Sequence, residues 1–175
     1  MAENVEFESL VARYYEPLYQ FAFSLTREEA DACDLTQQTF VVWAAKGHQL
    51  RDAAKVKTWL FTTLHREFLN SHRRHTRFPQ VDLDTAAAEL PAAPAASESR
   101  LDTARVLAAL SQVEEVFQAP VALFYLQDNS YLEIAEILGV PVGTVKSRLS
   151  RGLGQLQQLL ARDIAAGKNP PPTSL

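Results

Sequence analysis

One cysteine, Cys33, stands in a chain of 175 residues. A lone thiol cannot build an intramolecular disulfide framework, and it fits a reducing cytoplasm. No apolar run approaches the roughly 18 residues that a membrane span needs, so no membrane insertion is expected. The first ten residues, MAENVEFESL, are acidic, the opposite of a signal peptide's basic start. No period-two alternation marks a strand. No glycine-rich loop is built to cradle phosphate. No Ser, His and acid set stands out as a nucleophilic centre, so no catalytic residue and no cofactor is expected. Excess charge is missing too: the formal net charge is -4 and the sequence pI is near 5.6. That balance argues against a protein that coats nucleic acid indiscriminately. What remains is a chain with 47% hydrophobic residues, able to bury real cores. Its length suits one medium domain or two small ones.

The low net charge hides a pattern. Before Leu35, Glu3, Glu6, Glu8, Glu16, Glu28, Glu29, Asp31 and Asp34 face only Arg13 and Arg27. From Lys46 to Arg77 the balance inverts, and from Val140 to Arg162 every formal charge is positive. Two basic patches in an acidic chain suit a selective DNA binder.

The spacing predicts an all-α fold of two small helical domains. Leu10, Tyr14, Leu18, Phe21 and Leu25 form one apolar stripe. Pro17 falls inside it and predicts a kink or a break between two helices. A second helix is expected from near Asp31, ending at Gly47 with Lys46 in its last turn. A loop from Gly47 to Lys55 follows, then a third helix from Val56 to His75 with Trp59, Leu60, Leu64, Phe68 and Leu69 inward. The first domain is placed at 1–78. Residues 79–99, rich in Ala, Pro and acid with no base, read as a flexible linker. The second domain is placed at 100–166, and residues 167–175 read as a flexible tail. Pro120 predicts a helix break or first turn within the second domain.

The sharpest motif is YLEIAEILGVPVGTVKSRLSRG, Tyr131 to Gly152. Ser130 followed by Glu133 has the spacing of a capping box. Gly139 can take positive φ at a tight turn, and Ala135 is small where two helices cross. Val145 and Leu149 turn inward. That leaves Thr144, Ser147, Ser150 and Arg151 outward, flanked by Lys146 and Arg148. An exposed helix with short polar and basic groups can enter a major groove. The C-terminal domain therefore reads as a helix-turn-helix.

With FQAPVALFYLQD upstream, this stretch closely resembles the C-terminal promoter-binding region of extracytoplasmic-function (ECF, group IV) sigma factors, within the sigma-70 family of bacterial RNA polymerase. DACDLTQQTFVVWAAK and KVKTWLFTTLHREFLNSHRR resemble the polymerase-binding helix and the promoter-melting segment of region 2 in the same family. The resemblance implies a cytoplasmic transcription initiation factor that binds core polymerase through the β′ coiled coil and the β flap. It implies recognition of −10 and −35 promoter elements, and family members are commonly held by an anti-sigma factor. Carried over by position, Asp34, Gln37, Gln38 and Phe40 would bind core polymerase. Lys55, Lys57, Trp59, Arg66, Asn70, Arg73 and Arg74 would contact −10 DNA. Lys146, Ser147, Ser150 and Arg151 would face −35 bases, with Thr144 and Arg148 on phosphates. The linker would thread the polymerase cleft; a plain tether is the simpler reading.

Four departures from the family pattern matter. Arg66 stands where many relatives carry Asn, and the two read different base edges. Gly152 and Gly154 replace longer residues, each costing about 1 kcal/mol relative to Ala, which predicts a soft helix end. Val113-Glu114 replaces a frequent Leu-Pro. A metal site at His65, His72 and His75 is not expected, because Arg73, Arg74 and Arg77 repel a cation. The competing reading is a free-standing helix-turn-helix regulator with an N-terminal helical sensing domain. Such a regulator has no need of DLTQQTF and KTWLFTTLHREFL.

Overall fold

The computed structural model describes residues 2–77 and 98–166, and every regular element among them is helical. The order is α1 (Ala2–Thr26), α2 (Glu29–Lys46), α3 (Val56–Arg77), α4 (Glu98–Leu110), α5 (Glu115–Tyr125), α6 (Tyr131–Leu138) and α7 (Val142–Ala165). Short 3-10 turns at Gly47–Gln49 and Ala53–Lys55 join α2 to α3. The expected linker lies outside the described residues as far as 97, and α4 already begins at Glu98. The expected tail lies outside them as well. No helix among the described residues is long and apolar enough to cross a membrane.

Helices α1, α2 and α3 pack on one another around Leu18, Phe21, Ala22, Leu60, Phe61 and Leu64, all fully buried. Phe21 and Phe61 meet with ring centroids 5.5 Å apart. Each such side chain contributes about 1.5–3 kcal/mol by leaving water. The apolar stripe of α1 faces this core as its spacing required. Leu69 does not join it: it is exposed, one position past the inward-facing Phe68.

Two expected helix breaks are absent, and one helix end forms in another way than expected. α1 runs unbroken through Pro17. It ends instead at Arg27, whose φ of 62° is the left-handed turn usually given to glycine, with its N–H on the Phe23 carbonyl at 2.8 Å. α2 ends at Lys46 with Gly47 as its cap, as expected, but not by a positive φ; the Gly47 φ is -58° and the chain tightens into the 3-10 turn. Glycine is needed there because a Cβ would lie 2.6 Å from the Trp43 ring. α5 runs through Pro120, which is buried within it.

The second half packs α7 across α4, α5 and α6. Both hydrogen bonds of the capping box form: Glu133 N–H donates to Ser130 Oγ at 3.2 Å, and Ser130 N–H donates to a Glu133 carboxylate oxygen at 2.8 Å. Gly139 takes φ 65° and ψ 37°, which ends α6 and aims α7. α7 continues through both glycines. It stays helical to Ala165, about 36 Å of helix at 1.5 Å per residue. At the α5 entry, Gln155 grips both ends of Glu114: its Oε1 accepts from the Glu114 N–H at 3.0 Å, and its Nε2 donates to the carboxylate at 2.7 Å.

Candidate functional site

Three exposed helix faces carry the polar and basic residues that the helical spacing and the family resemblance singled out. The first is on α7. Val145 and Leu149 are buried, as are Ile134 and Ile137 of α6. Lys146, Ser147, Ser150 and Arg151 are exposed, and Thr144 and Arg148 are half-buried at the flanks. Ser147 Oγ donates to the Thr144 carbonyl at 3.1 Å, which leaves its lone pairs free to accept. Short polar groups with long cations beside them give a face that can approach base edges closely.

The second face runs down α3. Asp52 holds the turn before it by accepting the Ala54 N–H at 3.0 Å. Lys55 ends that turn. Arg66, Asn70, Arg73 and Arg74 are exposed at helical spacing, while Lys57 and Trp59 are half-buried. Trp59 meets Trp43 edge-on at 5.1 Å between ring centroids, so it is a wall, not a free stacking platform. Leu50, Thr58, Trp59, Thr62 and Arg66 line a small cleft of about 220 Å³. Phe61, a neighbouring aromatic, is fully buried and unavailable to DNA. Burial holds His65 below the ordinary imidazole range, so it adds no positive charge to this face near neutral pH.

The third face is on α2. Asp34, Gln37 and Gln38 are exposed together. Phe40 is not with them, contrary to the reading from sequence. It is 6% exposed, edge-on to Phe7 and stacked on Tyr15. The apolar residue on the face is Val41, 61% exposed and two helical turns after Asp34. The three-and-four spacing from Gln37 and Gln38 carried that signal, but an aromatic drew attention to the wrong neighbour. Among the described residues no group of three or more His, Cys, Asp or Glu is placed to hold a metal ion.

Residues 10–78 match the family description Sigma-70 region 2, and residues 103–156 match Sigma-70, region 4. The chain is 30% identical over 162 residues to the ECF RNA polymerase sigma factor SigL of Mycobacterium tuberculosis, covering 91% of each chain. The chain belongs to the ECF sigma factor family. It is also 34% identical over 160 residues to the ECF RNA polymerase sigma factor SigE of Mycolicibacterium smegmatis, spanning 62% of that relative's length and 89% of its own. Among solved structures it resembles the sigma factor RpoE of Bartonella quintana in complex with the anti-sigma factor NepR. The TM-score is 0.70 at 29% identity, covering 90% of this chain and 98% of that one.

In this ECF sigma factor the α2 and α3 faces lie within the region 2 match and the exposed polar and basic face of α7 within the region 4 match. The two halves touch. α1 packs against α4 and α5, and α3 packs against α6. Lys57 Nζ donates to the Gln127 carbonyl at 2.6 Å, and Gln127 Nε2 donates to the Pro17 carbonyl at 3.2 Å. Lys55 and Glu136 pair at 3.4 Å. None of these partners was visible in the sequence, because Gln127 and Glu136 carry no local motif.

Proposed function

We propose that this sigma factor binds core bacterial RNA polymerase and directs promoter-specific initiation by reading a −35 element with α7 and a −10 element with α3 and the turn before it. The observation that carries the assignment is the chemistry of the three faces. The α2 face is acidic and polar with one exposed valine, suited to a basic, polar partner helix such as the β′ coiled coil. The α7 face offers Lys146 and Arg151 to guanine O6 and N7, with Ser147 and Ser150 beside them and Thr144 and Arg148 at phosphate height. The α3 face pairs cations spaced along a strand with a cleft walled by Trp59, as a splayed single strand needs. The protein itself transforms no substrate in this reading. It lends addressing and strand separation to the polymerase, in the cytoplasm, and an anti-sigma factor is a fitting regulator.

The test is reconstitution with core polymerase and a promoter library. The protein should co-elute with core and direct initiation at a defined promoter class. Asp34→Ala with Gln38→Ala should weaken core binding by about tenfold without unfolding the domain. A chain that neither co-elutes nor directs initiation sinks the sigma assignment; unchanged core affinity in the double variant rejects the α2 face alone.

A further inference from the structure

Trp43 does not line the α3 cleft, yet a residue from each of the two segments that form it is seated on its ring. We propose that Trp43 is a positioning residue for the −10 site: its indole supports both Trp59 and the turn that opens at Gly47, and so sets the shape in which the cleft receives a promoter strand. This rests on the −10 reading of α3.

Gly47 follows the last turn of α2, is buried, and donates its N–H to the Trp43 carbonyl. A Cβ on Gly47 would lie 2.6 Å from both Cδ2 and Cε2 of Trp43 and 3.0 Å from Cε3. Cδ2 and Cε2 are the two atoms shared by the fused rings. An approach from the rim would meet outer atoms first, so the Gly47 backbone lies on the face of the indole. Its φ of -58° is open to any residue, so the ring and not the backbone demands glycine. The Gly47 carbonyl then accepts the Leu50 N–H at 3.0 Å. Leu50 is the apolar residue that this turn contributes to the cleft.

The second contact runs to α3. Trp59 meets Trp43 at 5.1 Å between ring centroids with the planes 79° apart, an edge-to-face arrangement that favours one orientation of the pair. Trp59 lines the cleft beside Thr58, Thr62 and Arg66. A binding cleft keeps its shape when the side chains behind it are themselves locked by packing. Trp43 is half-buried and packs against the region 2 core, so it is fixed in this way. Alanine at this position would leave Leu50 and Trp59 without a common support.

The experiment uses the full chain with core polymerase on a promoter recovered from the library. Trp43→Ala should co-elute with core as the unaltered protein does. It should also bind equally well a duplex that keeps the −35 element and has the −10 element scrambled. Its open complexes, read by permanganate reactivity of unpaired thymines, should fall roughly ten- to a hundredfold. Trp43→Phe keeps an aromatic face and should restore most of the signal. Gly47→Ala should also lose open complexes, because its Cβ drives the indole away. The two losses should not multiply: the three atoms nearest that Cβ all belong to Trp43, so Gly47→Ala added to Trp43→Ala should change the signal by less than about twofold. The chain has two tryptophans, so Trp59 is the sole emitter in either Trp43 variant. Its emission in the free protein should lie further to the red in Trp43→Ala than in Trp43→Phe. Equal losses of core binding, −35 binding and open complexes in Trp43→Ala would mark a merely structural role and overturn the inference. Losses that multiply in the double variant, or no rescue by Trp43→Phe, would overturn it too. Failure of the unaltered protein to open any promoter would instead sink the −10 reading itself, so the two failures are distinguishable.

Discussion

A Cβ built on Gly152 would lie 2.4 Å from Val121 Cγ2 and 2.9 Å from Phe117 Cβ, whereas one built on Gly154 meets nothing within 4 Å. Two glycines a single residue apart in α7 therefore carry opposite costs. Gly152→Ala forces α5 away from α7, an overpacking cost of about 1–3 kcal/mol that outweighs the helix gain of about 1 kcal/mol. Gly154→Ala has only the gain. Chemical denaturation should show the first variant destabilised by up to about 2 kcal/mol and the second stabilised by up to about 1 kcal/mol. Two shifts of the same sign would refute the packing account. From sequence the glycines looked alike, because the atoms that distinguish them belong to another helix. Phe40 was misplaced for the same reason: its burial depends on Phe7 and Tyr15 of α1, while the exposure of Val41 followed from spacing alone.

Helices were legible wherever their signals were local. The capping box at Ser130, the turn at Gly139 and the polar face of α7 each formed as the spacing required. Pro17 and Pro120 were not legible. Each removes one helical hydrogen bond, yet the carbonyls left without a donor belong to Arg13 and Val116, both exposed positions where water can serve. Leu18 and Phe21 after the first proline, and Val121 and Ala122 after the second, are fully buried and anchor each helix in the core beyond its proline. The end of α1 at Arg27 escaped notice because a non-glycine residue takes the left-handed turn. The same elements predict a division of labour. Arg151 lies on the exposed face of α7 proposed to meet bases, so Arg151→Ala should cost about 1–3 kcal/mol on a matched −35 element and relax selectivity there. Arg73→Ala with Arg74→Ala, at the far end of α3, should weaken binding on all sequences and shallow the salt slope by about 1–2. Promoter-library transcription at several salt concentrations reads both effects. A uniform loss across sequences from Arg151→Ala would contradict base reading.

At the scale of the molecule, the contacts that join the halves span 70, 81 and 110 residues of sequence. Nothing periodic marks such pairs, so the sequence foretold two helical domains and their order but not how they meet. Covalent geometry permits separation: residues 78–97 could extend to roughly 70 Å at full stretch. The free chain should nonetheless be closed most of the time. A compact chain of 175 residues has a radius of gyration of ~16 Å. Two small lobes on a flexible tether of this length would give about 20–25 Å. Small-angle scattering of the unaltered protein should fall near the lower figure. Glu136→Gln with Gln127→Ala should raise it, because the Lys55–Glu136 charge pair and the Gln127 side-chain bond to the Pro17 carbonyl are lost while the helices of each lobe are untouched. Circular dichroism should be unchanged, which separates opening from unfolding. An unaltered protein already near the higher figure would mean that the contacts of Lys57, Gln127 and Pro17 do not hold the halves together in solution. In that case Lys55 and Lys57 would meet a promoter strand unopposed.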